Sequence, residues 1–179
     1  HGQIRSDYPA LDAQPTPVVL IVADISGYTD FMLSHRKAVA HSQMIIRELI
    51  ETLIRQIDVP LELVELEGDA LFMYAAKTVD PSAWDLRGQR LVERILQMFK
   101  AFGSSIVEIG SYSVFRCEAC SNISTLKLKI VAHSGEGLLN EVGGIPVLSG
   151  VDTIIVHRLL KDSVDLDEYV LMTETAHRD

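Results

Sequence analysis

Cysteine is scarce in this chain: there are two, both in Cys117-Glu118-Ala119-Cys120. Two cysteines make no disulfide framework, so a reduced, cytoplasmic protein is the expectation. Long apolar runs are lacking too. None approaches the roughly 20 residues that a membrane span requires, and the N-terminus shows no charged-then-apolar leader signal. Positive charge is in deficit, with 16 Lys and Arg against 25 Asp and Glu and a formal net charge of -9. That balance argues against a broad surface for nucleic acid or anionic lipid. Any phosphate ligand would need backbone amides, a metal or a few local basic residues. No serine sits in a nucleophile-elbow context, and the phosphate-loop lysine motif is absent. What is present is 47% hydrophobic and 23% charged residues over 179 positions, enough for one globular domain with a substantial core.

Residues 1–17 carry three prolines and no periodicity, which predicts an arm, with His1-Gly2 as a tag remnant. The domain is expected over 18–176, without internal repeats or linkers. Residues 18–23 are continuously apolar and mostly β-branched, as in a strand covered on both faces. Residues 30–57 place Met44, Ile45, Leu49, Ile50, Leu53, Ile54 and Ile57 at helical spacing, predicting one long helix. Residues 61–66 alternate with period two, and 71–75 form a second strand-like run. Gly68-Asp69 between them signals a hairpin. A second helix is expected over 83–103, with Leu86, Leu91, Ile95, Leu96, Met98, Phe99 and Phe102 on its apolar side and Trp84 packed at its start. Residues 104–124 read as an irregular insertion. A strand over 126–133, a short helix over 150–161 and a strand over 169–173 complete the pattern. The order β-α-β-β-α-β-α-β predicts an α+β domain of the ferredoxin-like or palm type, an antiparallel-rich sheet with helices packed on one face.

Asp24 closes the first strand, and Asp69 tips the hairpin 45 positions later. If those strands are neighbours, the two carboxylates converge at one edge. Oxygen donors so placed suit Mg²⁺ or Mn²⁺ shared with substrate phosphates. The turn Ile25-Ser26-Gly27-Tyr28-Thr29 runs into a helix N-terminus, where backbone amides favour phosphate. Together these features describe a nucleoside-triphosphate site. Taken singly, Asp24 reads equally as a helix cap and Gly68-Asp69 as turn chemistry. Cys117 and Cys120 have the spacing of half a zinc site, with His133 or a partner copy's cysteines as completing ligands. The alternative is a pair of thiols in a surface loop. His133 also reads as a hydrogen-bonded residue ending its strand, and His35 and His41, six apart on the first helix, do not share a face.

Residues 23–29, Ala-Asp-Ile-Ser-Gly-Tyr-Thr, resemble the first metal-binding motif of class III nucleotidyl cyclases. Val64-Glu65-Leu66-Glu67-Gly68-Asp69-Ala70 resembles the second, Lys129 to Glu136 the strand and turn that follow, and Gly150 to Leu159 the helix that bears a catalytic arginine. With its CxxC, the chain is similar over 18–175 to the cyclase-like subgroup known as DUF2652. The resemblance implies a cyclase homology domain in which Asp24, Asp69 and the Ile25 carbonyl hold two Mg²⁺ or Mn²⁺ ions. It implies that Gly27, Tyr28 and Thr29 cradle the phosphates of a nucleoside triphosphate. It implies further that the metals activate the ribose 3′-hydroxyl and that Arg158, supplied by the partner in a head-to-tail homodimer, stabilises the α-phosphoryl charge. Three positions depart from the family pattern. The catalytic asparagine position is Ile154. The base-reading lysine position is Glu65, a residue that guanylyl cyclases use there, and its partner position is Val147. The expectation is thus a nucleotidyl cyclase-like domain that forms a cyclic nucleotide, or a degenerate relative acting as a nucleotide-binding or protein-interaction dimer.

Overall fold

A computed structural model describes residues 14–111, 118–161 and 164–179. Most of the expected arm and Cys117 lie outside these. Strand β1 (Thr16–Ser26) forms the centre because six consecutive residues, Val18 to Ala23, are buried on both of its faces. It pairs antiparallel with β3 (Ala70–Ala76) on one side and with β4 (Lys127–Val142) on the other. Strand β2 (Glu62–Glu67) pairs with β3, and β5 (Ile145–Ser149) pairs with β4, giving the order β2-β3-β1-β4-β5. The short β6 (Tyr169–Met172) runs parallel to β4. Helices α1 (Tyr28–Ser34), α2 (Val39–Ile54), α3 (Pro81–Ser111), α4 (Glu118–Ser121), α5 (Val151–Leu160) and α6 (Glu174–Arg178) join them. The fold class is the expected one.

Strand alternation builds two apolar layers. Val19, Ile21, Ala23 and Ile25 face α2 and α3 in the larger core, with Leu49, Leu53, Met98 and Phe102. Val18, Leu20 and Val22 face the other way, toward Val156 of α5. So α2 and α3 share one face as expected, and α5 covers the opposite one.

Several expected boundaries shift for physical reasons. The long helix over 30–57 is instead α1, a 3-10 turn at Arg36–Ala38, and α2. The break falls at His35, which is buried, donates from Nδ1 to the Phe31 carbonyl at 2.7 Å and accepts from Asn122 Nδ2 at 3.1 Å. A side chain tied back to its own helix closes α1 there. Helix α3 runs to Ser111, eight residues into the expected irregular insertion. Ile106 and Ile109 continue its packing against the core, and Ser105 meets Thr52 of α2 at 3.1 Å. Residues 118–121 and 123–125 are also helical turns. Leu86 and Leu96, expected on the apolar side of α3, are 54% and 61% exposed. The strand expected over 126–133 extends to Val142 and returns as β5 through Gly143-Gly144, both at positive φ. That glycine pair is an ordinary two-residue hairpin signal. Trp84 is buried in the first turns of α3.

Candidate functional site

The register decides the site. Asp24 lies opposite Ala70 on β3, next to the Gly68-Asp69 turn, and opposite Lys129 on β4. Asp24 continues the side of β1 that carries Val18, Leu20 and Val22, so its carboxylate emerges on the α5 face. Lys129 shares that parity with Val131 and brings its Nζ to 3.0 Å from Asp24 Oδ2. Asp69 is half-buried at the turn and lines the same cavity as Asp24, near enough for the two carboxylates to repel. Asp24, Ile25, Ser26, Gly27, Tyr28, Thr29, Asp30, Asp69 and Lys129 surround one cavity of about 290 Å³. The two carboxylates expected to converge do lie together.

Electrostatics mark the cavity as short of positive charge. Burial pushes the Asp69 carboxyl up to about 6, with repulsion from Asp24 adding to the rise and Lys129 opposing it. Among the described residues lining the cavity, Lys129 is the one cation. Gly27 enters α1 at φ 85°, where a side chain would be strained, and a Cβ there would press on the Thr125 carbonyl at 3.2 Å. The first-turn amides of α1 have no helical acceptor of their own and face this region.

The remaining expected residues lie elsewhere. Glu65 is exposed on β2 and lines a small cavity of about 40 Å³ with Phe72, Leu148 and His157. Val147 is half-buried on β5 outside that cavity, and its neighbour Leu148 fills the place facing Glu65. Arg158 is exposed in the last turn of α5, and Ile154 is 55% exposed one turn before it. His157 stacks on Phe72 with ring centroids 4.0 Å apart.

For the cysteines, Cys117 lies outside the described residues, and Cys120 is buried with its Sγ 3.6 Å from His41 Nε2. His133 cannot complete a zinc site with them, because both its ring nitrogens are engaged elsewhere, with Thr173 and Asp152. The segment 118–122 instead meets His41 through Cys120 and His35 through Asn122. Among the described residues no group of three or more His, Cys, Asp and Glu is placed to hold a metal ion, and no helix is long and apolar enough to cross a membrane.

Lys129 and Asp152 went unremarked in the sequence. Lys129 could have been found by pairing the alternating run at 126–133 against β1, which sets it opposite Asp24. Asp152 carries no local signal, because its partners are 16 and 19 residues away.

Comparison with known proteins places this geometry among relatives. The family described as "Protein of unknown function (DUF2652)" matches residues 46–169. "Uncharacterized protein Rv2561/Rv2562" of Mycobacterium tuberculosis (strain ATCC 25618 / H37Rv) is 34% identical over 117 residues, covering 64% of this chain and 50% of that protein. The chain thus spans about half the length of this curated relative. The adenylyl cyclase CyaB from P. aeruginosa superposes with a TM-score of 0.64 at 13% identity, over 92% of this chain and 80% of that one. The guanylyl cyclase Cya2 gives 0.63 at 12% identity, over 93% and 79%. A class III adenylyl cyclase-like ATP-binding protein from Pseudomonas aeruginosa gives 0.65 at 15% identity, over 92% and 34%. At these identities the likeness is one of fold.

Proposed function

We propose, on the premise that this chain belongs to the DUF2652 family and has the class III nucleotidyl cyclase fold, that it binds a nucleoside triphosphate with divalent cations at Asp24 and Asp69. One observation carries this reading: Asp24 and Asp69, together with Asp30, Lys129 and a helix-entry turn, surround a single cavity. The donor set fits the ions. Asp24, Asp69 and the Ile25 carbonyl offer only oxygen, which suits Mg²⁺ or Mn²⁺ rather than softer metals. Burial, with repulsion from Asp24 added to it, holds Asp69 protonated up to about pH 6, and both effects favour a doubly charged cation beside the pair. When bound, such ions supply charge neutralisation and activation of the ribose 3′-hydroxyl.

The chain's own groups do the rest. Lys129, paired with Asp24 at 3.0 Å, would meet a phosphate oxygen if a cation took its place at that carboxylate. The amides of Gly27, Tyr28 and Thr29 orient the terminal phosphates. Arg158 of a second copy faces the α-phosphoryl group in a head-to-tail homodimer and stabilises the charge that develops there. Glu65 accepts from the base edge, which favours a base with donors, as guanine has.

A second reading is favoured by one residue. Ile154, at the family's asparagine position, offers no hydrogen bond to the reacting ribose. Loss of such a donor costs about 10²–10³ in rate. On this reading the dimer binds nucleotide and signals without turnover. Calorimetry with Mn²⁺ and each of the four triphosphates, with chromatography for cyclic product, separates the two. Binding with product supports a cyclase, and binding alone supports the regulatory dimer. Absence of metal-dependent binding in both the native chain and Asp69→Asn overturns the site itself.

A further inference from the structure

The middle of β4 carries a polar cluster that none of the nucleotide chemistry uses. His133 is 7% exposed and places Nε2 2.7 Å from Asp152 Oδ1 and Nδ1 3.0 Å from Thr173 Oγ1. Asp152 belongs to the first turn of α5, and its other oxygen accepts the Glu136 N–H at 2.8 Å. One carboxylate therefore ties the start of α5 to both a side chain and the backbone of β4. Burial pushes that carboxyl up, but the Glu136 amide and His133 outweigh it and hold it below the usual carboxylate range. An ionised carboxylate only accepts, so Nε2–H donates and the Thr173 hydroxyl can donate to Nδ1. Every group in the cluster is satisfied.

The strand is shaped for this contact. A Cβ on Gly135 would overlap the Asp152 carboxyl group, whose atoms are the three nearest to it. Gly135 has no positive φ, so space for that carboxylate is what its lack of a side chain provides.

The apolar anchors of the helix lie in its second half. Val156 is its one buried residue, Leu159 and Leu160 pack half-buried against the same cluster and His157 stacks on Phe72, while Val151 and Ile154 are 73% and 55% exposed. Gly150 caps α5 without a side-chain hydrogen bond. The first turn is thus held by Asp152 rather than by apolar packing. Arg158 stands six residues further along the same short rod. A rotation of about 10° displaces atoms at the helix surface by about 1 Å, given a radius of about 5–6 Å. Misplacement by about 1 Å can cost about 10²-fold in rate.

We propose that Asp152, held by His133 and seated on Gly135, is a positioning residue that fixes the orientation of α5 and thereby where Arg158 is presented to the nucleotide. Its functional half rests on the reading above; its structural half does not.

Amide hydrogen exchange on the nucleotide-free protein tests the structural half. Asp152→Ala is expected to speed exchange across 151–160 by tenfold or more, with α2 and α3 unchanged. Equal rates in α5 would overturn the latch whatever the protein binds. Gly135→Ala displaces the carboxylate without deleting a polar group and should loosen α5 likewise. Combined with Asp152→Ala it should add nothing, because the overlap is then gone.

The functional half is read as a double-mutant cycle with Arg158→Ala, on kcat with Mn²⁺-triphosphate, or on Mn²⁺-dependent triphosphate affinity if the native chain does not turn over. Asp152→Ala should lower that quantity about tenfold or more in the native background and leave it unchanged when Arg158 is already absent. In a protein that turns over, KM should stay within about twofold. A loss that persists without Arg158, or one confined to KM, would show that the latch serves stability alone. Loss of all nucleotide binding by the native chain would sink the site reading and this half with it, leaving the exchange result to stand for the fold.

Discussion

Asp69 is where burial, charge and ligand chemistry meet. Its folded value of about 6 lies above the 3.8 of the free carboxyl. The folded protein therefore holds a proton between those values that the unfolded chain has released. The stability this provides is complete below about pH 3.8 and is lost as pH rises through about 6. At pH 7.5 in chelator, Asp69→Asn should accordingly raise the melting temperature by a few degrees, roughly 2–4 °C, and at pH 3.5 it should not. Calorimetric melts at the two pH values check both signs. Mn²⁺ must displace the same proton, so affinity should fall about tenfold per pH unit below about 6; a flat profile from pH 5 to 7 would place the metal elsewhere. Ile154 allows the converse experiment. It is 55% exposed, so Ile154→Asn should fold normally, and the regained donor should raise cyclic-nucleotide production about 10²-fold, measured by chromatography of product. Asp24 and Asp69 were legible in the sequence because each sits at local punctuation, the end of a buried strand and a Gly-Asp turn. Lys129 was not, since its role depends on cross-strand register, which no single segment reveals.

Helices α2 and α3 show how far periodicity reaches. The spacing of Leu49, Leu53, Leu91, Ile95, Met98 and Phe102 marks their buried stripes correctly. It also counts Leu96 on the apolar side with Phe102, although the two lie six residues and about 120° apart around the helix, and Leu96 is 61% exposed and Phe102 only 1%. Hydropathy measures a preference for burial; the angle at which a helix meets the sheet decides which stripe edge receives it. The two residues should therefore separate in chemical denaturation. Phe102→Ala is expected to cost about 3–5 kcal/mol through transfer and cavity terms, and Leu96→Ala within about 0.5 kcal/mol. Similar costs would mean that the helix is rotated from the orientation described. The break at His35 and the extension of α3 to Ser111 were illegible for a related reason, because both depend on partners brought from distant segments, Asn122 and Thr52.

Among the described residues, the molecule exposes apolar side chains on the β4–β5 hairpin, at one edge of the sheet, and on α5, the helix that carries Arg158. Val142 and Ile145 at the β4–β5 hairpin are 64% and 66% exposed, and Val151 and Ile154 on α5 are exposed as well. On the proposed function this edge meets a second copy head to tail, so Asp69 of one protomer serves with Arg158 of the other. Such an interface makes two equivalent sites, each needing one contribution from each chain. Mixing then distinguishes shared sites from self-contained ones. Asp69→Asn should abolish turnover alone, and Arg158→Ala should leave only a small residual rate. In an exchanged equimolar mixture about half the dimers are heterodimers. Each of these combines the intact Asp69 of one chain with the intact Arg158 of the other at one site, and both defects fall at its second site. Activity should recover to about a quarter of that of the unsubstituted protein, and Ile145→Asp in both chains should remove the recovery while leaving a monomer in sedimentation velocity. If Arg158 instead served its own chain, every site in the mixture would carry one defect and nothing would recover. The mixed assay thus asks whether the acidic pair and the arginine on this small sheet belong to one active unit or to two.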